Sequence, residues 1–148
     1  MQRLLNDLEL IAKKLKHDQW ELVDDLQYHV GGPYSTEIII VPKGFVTDMA
    51  STPFGIHNIL PKDGSWSPAS VIHDALYQNR GMLPVGWFSG PEMTYTQADC
   101  DGIFKEAMKV LGVSWWQRNL MWSALRLFGW ISFKKNSPGR TPPEASQV

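Results

Sequence analysis

Ser67-Pro68-Ala69-Ser70-Val71-Ile72-His73-Asp74-Ala75-Leu76-Tyr77-Gln78 reads as one short helix, and the rest of the chain is organised around it. Serine at the N-cap and proline at the first helical position make a helix start, and Gly81 marks its stop. His73 and Tyr77 are four residues apart, so they stand one above the other on the same helix face. Asp74 lies about 100° round from His73 and can share a groove with it. Aspartate is a poor residue for a helix interior, so Asp74 calls for a reason.

Upstream of this helix the patterning is strand-like. Trp20-Glu21-Leu22-Val23, Leu26-Gln27-Tyr28-His29-Val30 and Thr36-Glu37-Ile38-Ile39-Ile40-Val41 are short, rich in β-branched and aromatic residues, and separated by Asp24-Asp25 and Gly31-Gly32-Pro33. They predict a small antiparallel sheet. Pro42-Lys43-Gly44 turns the chain into Phe45-Val46 and a polar loop from Thr47 to Pro53, and residues 54 to 66 read as loop. Ahead of the strands, Leu4, Leu5, Leu8, Ile11, Ala12 and Leu15 recur at helical spacing, which predicts an amphipathic helix over roughly residues 3 to 16.

Downstream, residues 81 to 95 read as a long irregular connection with Gly86, Gly90 and two prolines. A second helix is predicted from Thr96 to Gly112, and a third from Ser114 to about Phe128 or Ile131. The third carries Trp116, Leu120, Met121, Ala124, Leu125, Leu127, Phe128 and Ile131 on a broad apolar arc, with Arg118, Asn119 and Arg126 opposite. Core packing explains such a helix. Its tryptophans, arginines and the following Phe133-Lys134-Lys135 also suit contact with a membrane surface. The predicted fold class is α+β: a small antiparallel sheet followed by a three-helix group, with the extra N-terminal amphipathic helix. The division predicted along the chain is residues 1–17 for that helix, 18–133 for a single domain, and 134–148 for a disordered tail.

Composition narrows the function classes. At 148 residues and 43% hydrophobic content the chain can bury a real core. A net charge of −1 gives no reason to expect electrostatic capture of nucleic acid. The single cysteine, Cys100, rules out an internal disulfide framework and reads as a small buried residue. No apolar stretch approaches the roughly 20 residues that span a bilayer, and the N-terminus lacks the apolar run of a secretory signal. A soluble protein made in a reducing cytosol is the expectation.

An imidazole, an adjacent carboxylate and a second carboxylate on a neighbouring helix form a minimal set for activating water. His73, Asp74 and Asp99 supply those groups. Each has a plainer explanation beside it: an exposed aspartate next to a core histidine for the His73-Asp74 pair, and a capping box for Thr96-Gln97-Ala98-Asp99. Asp101 is expected to face solvent near the helix N-terminus, where the dipole favours it. Asp48 is either a turn former or a contributor to a cation site.

Two resemblances bear on these residues. The set running from Val41 through Gly44-Phe45-Val46-Thr47-Asp48-Met49-Ala50-Ser51-Thr52-Pro53, then Ile72-His73-Asp74-Ala75-Leu76-Tyr77, then Ala98-Asp99 to Phe104 and Met108, resembles a family of small bacteriophage and prophage proteins of unknown function. The likeness covers about Trp20 to Gly129. It implies a phage origin near virion or tail genes, with other phage structural proteins or a second copy as partners, and the phage particle as final location. The His-Asp-x-x-Tyr helix followed by an Ala-Asp helix is also similar to the core of phospholipases of the A-two type, above all the disulfide-free version in parvovirus capsids. That resemblance implies His73 as the base, Asp99 as the group orienting it, Tyr77 as support for Asp99, and Asp74 as ligand to a divalent cation, calcium first. No glycine-rich calcium loop precedes His73 here, so Asp48 and its loop would have to stand in for it. His57 with His73-Asp74 and Asp99 formally matches metal-dependent HD phosphohydrolases, but His57 sits in a Pro/Gly loop and the spacings are compressed. Two functions follow: a virion- or tail-associated hydrolase acting on the host envelope, or a non-catalytic assembly protein in which the same residues form a fold-stabilising polar network.

Overall fold

A computed structural model describes residues 12–14, 19–47 and 66–141. The architecture is α+β: two small antiparallel sheets and three helices. Strands β1 (Ala12–Lys14), β2 (Trp20–Leu22) and β5 (Val46–Thr47) form one sheet in the order β1-β2-β5. Strands β3 (Leu26–His29), β4 (Ile38–Val41) and β6 (Phe88–Ser89) form the other in the order β3-β4-β6. Helices α1 (Ser67–Gln78), α2 (Gln97–Val110) and α3 (Trp115–Lys135) complete the described chain.

The hairpin of β3 and β4 follows from alternation. Leu26 pairs with Val41 and Tyr28 with Ile39. All four side chains are buried while the intervening positions are more exposed, the period of two that a half-buried strand requires. The hairpin continues through the bond from Val30 N to Glu37 O, and β6 closes the sheet on the far edge of β4. The strand β6 lies inside the segment predicted to be irregular. Its two residues pair with Ile38 and Ile39.

Helix α1 is buried on every side: Pro68 through Tyr77 are all shielded from solvent. It packs on α2 and α3 and touches β4 and β5. The polar side chains Ser70, His73 and Asp74 are therefore inside the protein. Its N-cap is Trp66 rather than Ser67, without a side-chain capping bond, and Pro68 lies within its first two positions. At the other end Arg80 (φ 53°) and Gly81 (φ 75°) adopt the left-handed conformation. Their amides donate to the carbonyls of Tyr77 and Leu76, which satisfies acceptors left open at a helix end.

Two expectations are corrected at the ends of the chain, and one lies outside the described residues. Residues 12–14, predicted as the end of a helix, form β1 in register with β2 (Ala12 with Leu22, Lys14 with Trp20). Residues 1–11, the greater part of the predicted amphipathic helix, lie outside the described residues. The predicted disordered tail does not describe residues 134–141. Lys134 and Lys135 complete α3, and the chain then folds back over the end of α1. Asn136 Nδ2 donates to Tyr77 O (2.8 Å), Gly139 N to Asn79 O (3.1 Å) and Arg140 Nε to Leu83 O (3.1 Å). Arg140 also pairs with Glu92 at 2.8 Å and reaches the Met93 carbonyl.

Three buried phenols each donate to a carboxylate: Tyr28 to Glu106 (2.5 Å), Tyr95 to Glu37 (2.8 Å) and Tyr77 to Asp101 (2.5 Å). Burial first, and then the adjacent carboxylate, pushes all three hydroxyls well above the ordinary tyrosine value of 10.0. Unfolding returns them to that ordinary value, so their contribution to stability is full below pH ~10 and is lost as pH rises above it. In an alkaline titration followed by phenolate absorbance, these three groups are expected to ionise together with loss of the helical circular dichroism signal. Smooth ionisation of all the tyrosines with the fold intact would contradict the three buried contacts.

Candidate functional site

The site is a polar cluster at the meeting of the three helices. Helix α1 contributes His73 and Tyr77 from one face, α2 contributes Asp101, and α3 contributes Arg126. Asp101 is the centre. Its Oδ1 accepts from Tyr77 OH at 2.5 Å and meets His73 Nε2 at 3.0 Å, while its Oδ2 accepts from Arg126 at 3.2 Å. His73 and Asp101 are both 0% exposed. A carboxylate removed from water in this way needs charge and hydrogen-bond compensation, and Arg126 reaches in from the surface to supply the charge.

The hydrogen-bond chemistry fixes the imidazole. An ionised carboxylate only accepts, so Nε2 of His73 must donate to Asp101. In the neutral ring the lone pair is then on Nδ1. Among the described residues Nδ1 has no hydrogen-bond partner, although it is buried. The ring itself is held by aromatic neighbours, Tyr77 at 4.0 Å and Phe104 at 4.7 Å between centroids. Phe133 of α3 packs edge-on against Tyr77 at 5.3 Å. Close approach of α3 depends on Gly129: a Cβ there would stand 2.6 Å from the Tyr77 hydroxyl.

Asp74 points a different way. Its Oδ2 accepts from Thr47 Oγ1 at 2.6 Å and from Gln78 Nε2 at 3.0 Å. The Thr47 bond ties α1 to β5, the Gln78 bond lies within α1, and together they account for an aspartate within a helix. Asp74 is only 5% exposed, so it is not the solvent-facing residue of the plainer reading.

The structure thus brings His73 and Tyr77 together as the sequence implied, but the carboxylate they share is Asp101, not Asp99. Asp99 is exposed and forms a capping box with Thr96: Asp99 N donates to Thr96 Oγ1 (3.1 Å) and Thr96 N to Asp99 Oδ2 (2.9 Å). Asp101, expected in solvent, is fully buried. Its helical phase was the available signal, since Asp101, Phe104 and Met108 are spaced by three and four and form one buried stripe of α2. Cys100 is buried as expected, and burial together with Asp101 and Asp99 holds its thiol well above the ordinary value.

Asp48, the other residue expected to hold a cation, lies outside the described residues. Among the described residues no group of three or more His, Cys, Asp or Glu side chains is placed to hold a metal ion. Calcium takes six to eight oxygen ligands. Asp74 and Thr47, bonded to each other, do not by themselves fit that demand.

The family model described as "Protein of unknown function (DUF1353)" matches residues 20–125. No curated protein and no solved structure gives a match. The matched stretch takes in His73, Tyr77 and Asp101 and ends one residue before Arg126.

Proposed function

This chain belongs to the DUF1353 family, and we propose that it is a hydrolase in which the His73–Asp101 pair activates water against an acyl ester of the host envelope. One observation carries the reading: His73 is locked through Nε2 by a buried carboxylate while the Nδ1 lone pair has no partner among the described residues. That is the arrangement of an oriented general base. In the reaction, water attacks the ester carbonyl as its proton passes to Nδ1. Asp101 holds the ring and stabilises the imidazolium that forms. Collapse of the tetrahedral intermediate breaks the bond to the alcohol oxygen, which takes the proton back from Nδ1. The products are an alcohol and a carboxylic acid, which releases its proton to solvent as the carboxylate. Tyr77 and Arg126 act as positioning residues through Asp101. No step is routed through a cation, because the described residues do not fit one. The phage setting, with the virion or tail as location and other phage structural proteins as partners, rests on the sequence resemblance alone.

A second reading is favoured by the complete burial of His73 and Asp101: a phage assembly protein in which the cluster specifies the fold without catalysis. Release of fatty acid from mixed phospholipid vesicles, measured with calcium and with a chelator, separates the two. The hydrolase is expected to show turnover in at least one condition and to lose it in His73→Ala with the fold retained. Wild-type protein inactive in both conditions, or His73→Ala as active as wild type, would sink the hydrolase reading.

A further inference from the structure

Helix α3 has two faces. Met121, Leu125 and Gly129 recur every four residues and are its buried positions. Across the helix, Trp116, Leu120, Leu127, Phe128, Trp130 and Ile131 are exposed, from 45% for Leu120 and Ile131 to 66% for Leu127. Monomeric proteins seldom leave so many large apolar side chains together in water, and such patches mark contact surfaces. A helix of 21 residues is about 30 Å long, so the face is extended. It is not a membrane span: no helix among the described residues is long and apolar enough to cross a bilayer.

Charge identifies what covers it. Residues 107–143 contain six Lys or Arg and no Asp or Glu, which leaves eight basic and fifteen acidic side chains in the rest of the chain. A nearly neutral protein has therefore gathered a positive segment around its one exposed apolar helix face among the described residues. Lys134 and Lys135 flank that face, while Arg126 on the same helix is committed to Asp101, and the Lys134 ammonium lies over the Trp130 ring at 5.6 Å.

A second copy of the chain is the main rival, because Trp116, Leu120, Ser123, Leu127 and Trp130 are spaced in alternating steps of four and three, as in paired helices. A symmetric pair, parallel or antiparallel, would bring two acid-free α3 helices together with only positive charges to meet across the seam. Nucleic acid would match the charge, but the centre of the face is leucine and tryptophan, without the run of basic side chains that tracks phosphates. We infer that the outer face of α3 docks in the plane of an anionic phospholipid bilayer, with its apolar side chains among the acyl chains and its lysines at the headgroups. This deepens the proposed function and rests on it only for the benefit, since docking would hold the hydrolytic site at its substrate.

The test uses the full chain and vesicles of phosphatidylcholine with or without phosphatidylglycerol. Wild type is expected to float with the phosphatidylglycerol vesicles, to bind the neutral ones at least tenfold more weakly, and to be released by high salt. Leu120→Glu with Leu127→Glu, both at exposed positions, is expected to lower binding at least tenfold with unchanged circular dichroism. Bromolipid quenching of wild-type tryptophan fluorescence reads the same contact without any variant. The inference is overturned by equal affinity for neutral vesicles, by no quenching, by a wild-type dimer that the double variant dissolves, or by binding to single-stranded oligonucleotide in place of lipid. His73→Ala is expected to bind vesicles like wild type, so docking and hydrolysis can fail separately.

Discussion

Replacing Asp101 with alanine is expected to destabilise the protein by roughly 3–5 kcal/mol, the range for removing one partner of a buried charged pair. The change strands three donors at once: His73 Nε2, Tyr77 OH and the Arg126 guanidinium, all aimed at the vacated carboxylate. Two of the three are in the interior, where an unsatisfied group cannot recover its bond from water. Against a total stability on the order of 5–15 kcal/mol, the loss is large. Asp101→Asn keeps the shape and is expected to fold. It presents an amide with one accepting oxygen where three donors converge, so the imidazole is no longer fixed with its lone pair on Nδ1. In a His–carboxylate pair that change lowers turnover by about 10⁴. Asp99→Ala supplies the contrast. It removes one arm of an exposed capping box, worth on the order of 1 kcal/mol, and is expected to leave turnover alone. Urea denaturation of the three variants, with vesicle hydrolysis of those that fold, checks the order. Equal costs for Asp99→Ala and Asp101→Ala would show that the buried cluster does not hold the helices.

Gly81→Ala is expected to cost at least ~3 kcal/mol for a different reason, one of backbone geometry. Gly81 has φ 75°, and a Cβ built there would lie 1.8 Å from the Tyr95 carbonyl oxygen. The neighbour is main chain, so no rotamer change relieves the overlap. The two segments must part, which breaks the bond from Tyr95 N to Gly81 O and pulls Tyr95 from Glu37. The left-handed conformation adds roughly 1–2 kcal/mol for any residue with a side chain. Gly86 isolates that second contribution, since φ there is 94° and a Cβ would meet nothing within 4 Å. Gly86→Ala is expected to lower the melting temperature modestly and Gly81→Ala severely. Comparable melting curves for the two would show that the approach of residues 81 and 95 is not tight.

How far the sequence could be read depended on whether local chemistry or distant contact decided each element. Helix α1 was legible to within a residue or two because Pro68 and Gly81 punctuate it. The β3–β4 hairpin was legible because Leu26, Tyr28, Ile39 and Val41 alternate with polar or less buried neighbours. The strand β6 was not: Phe88 and Ser89 have no strand pattern of their own and are extended because Ile38 and Ile39 offer an edge. The Ala12-Lys13-Lys14 stretch fits a helical stripe equally well, and pairing with β2 decided the matter. Residues 136–141 look like a polar tail, and their attachment depends on the Asn136 side chain, the backbone amide of Gly139 and a single arginine. At the site, two aspartates two residues apart on α2 competed for one role. Asp99 had the more familiar spacing from Thr96, whereas Asp101 had the phase of the buried stripe. The phase identified the residue that enters the core.

The enclosure of α1 also sets a schedule for folding. Its wrapping comes from both directions along the chain, with Thr47 bonded to Asp74 on one side and Asp101, Arg126 and Gly129 on the other. During synthesis, residues 68–77 leave the ribosome well before the segments that cover their second flank. At about 5–20 residues per second, the apolar helix waits several seconds without its partners. The nascent chain therefore passes through a stage in which this helix is uncovered and open to wrong contacts.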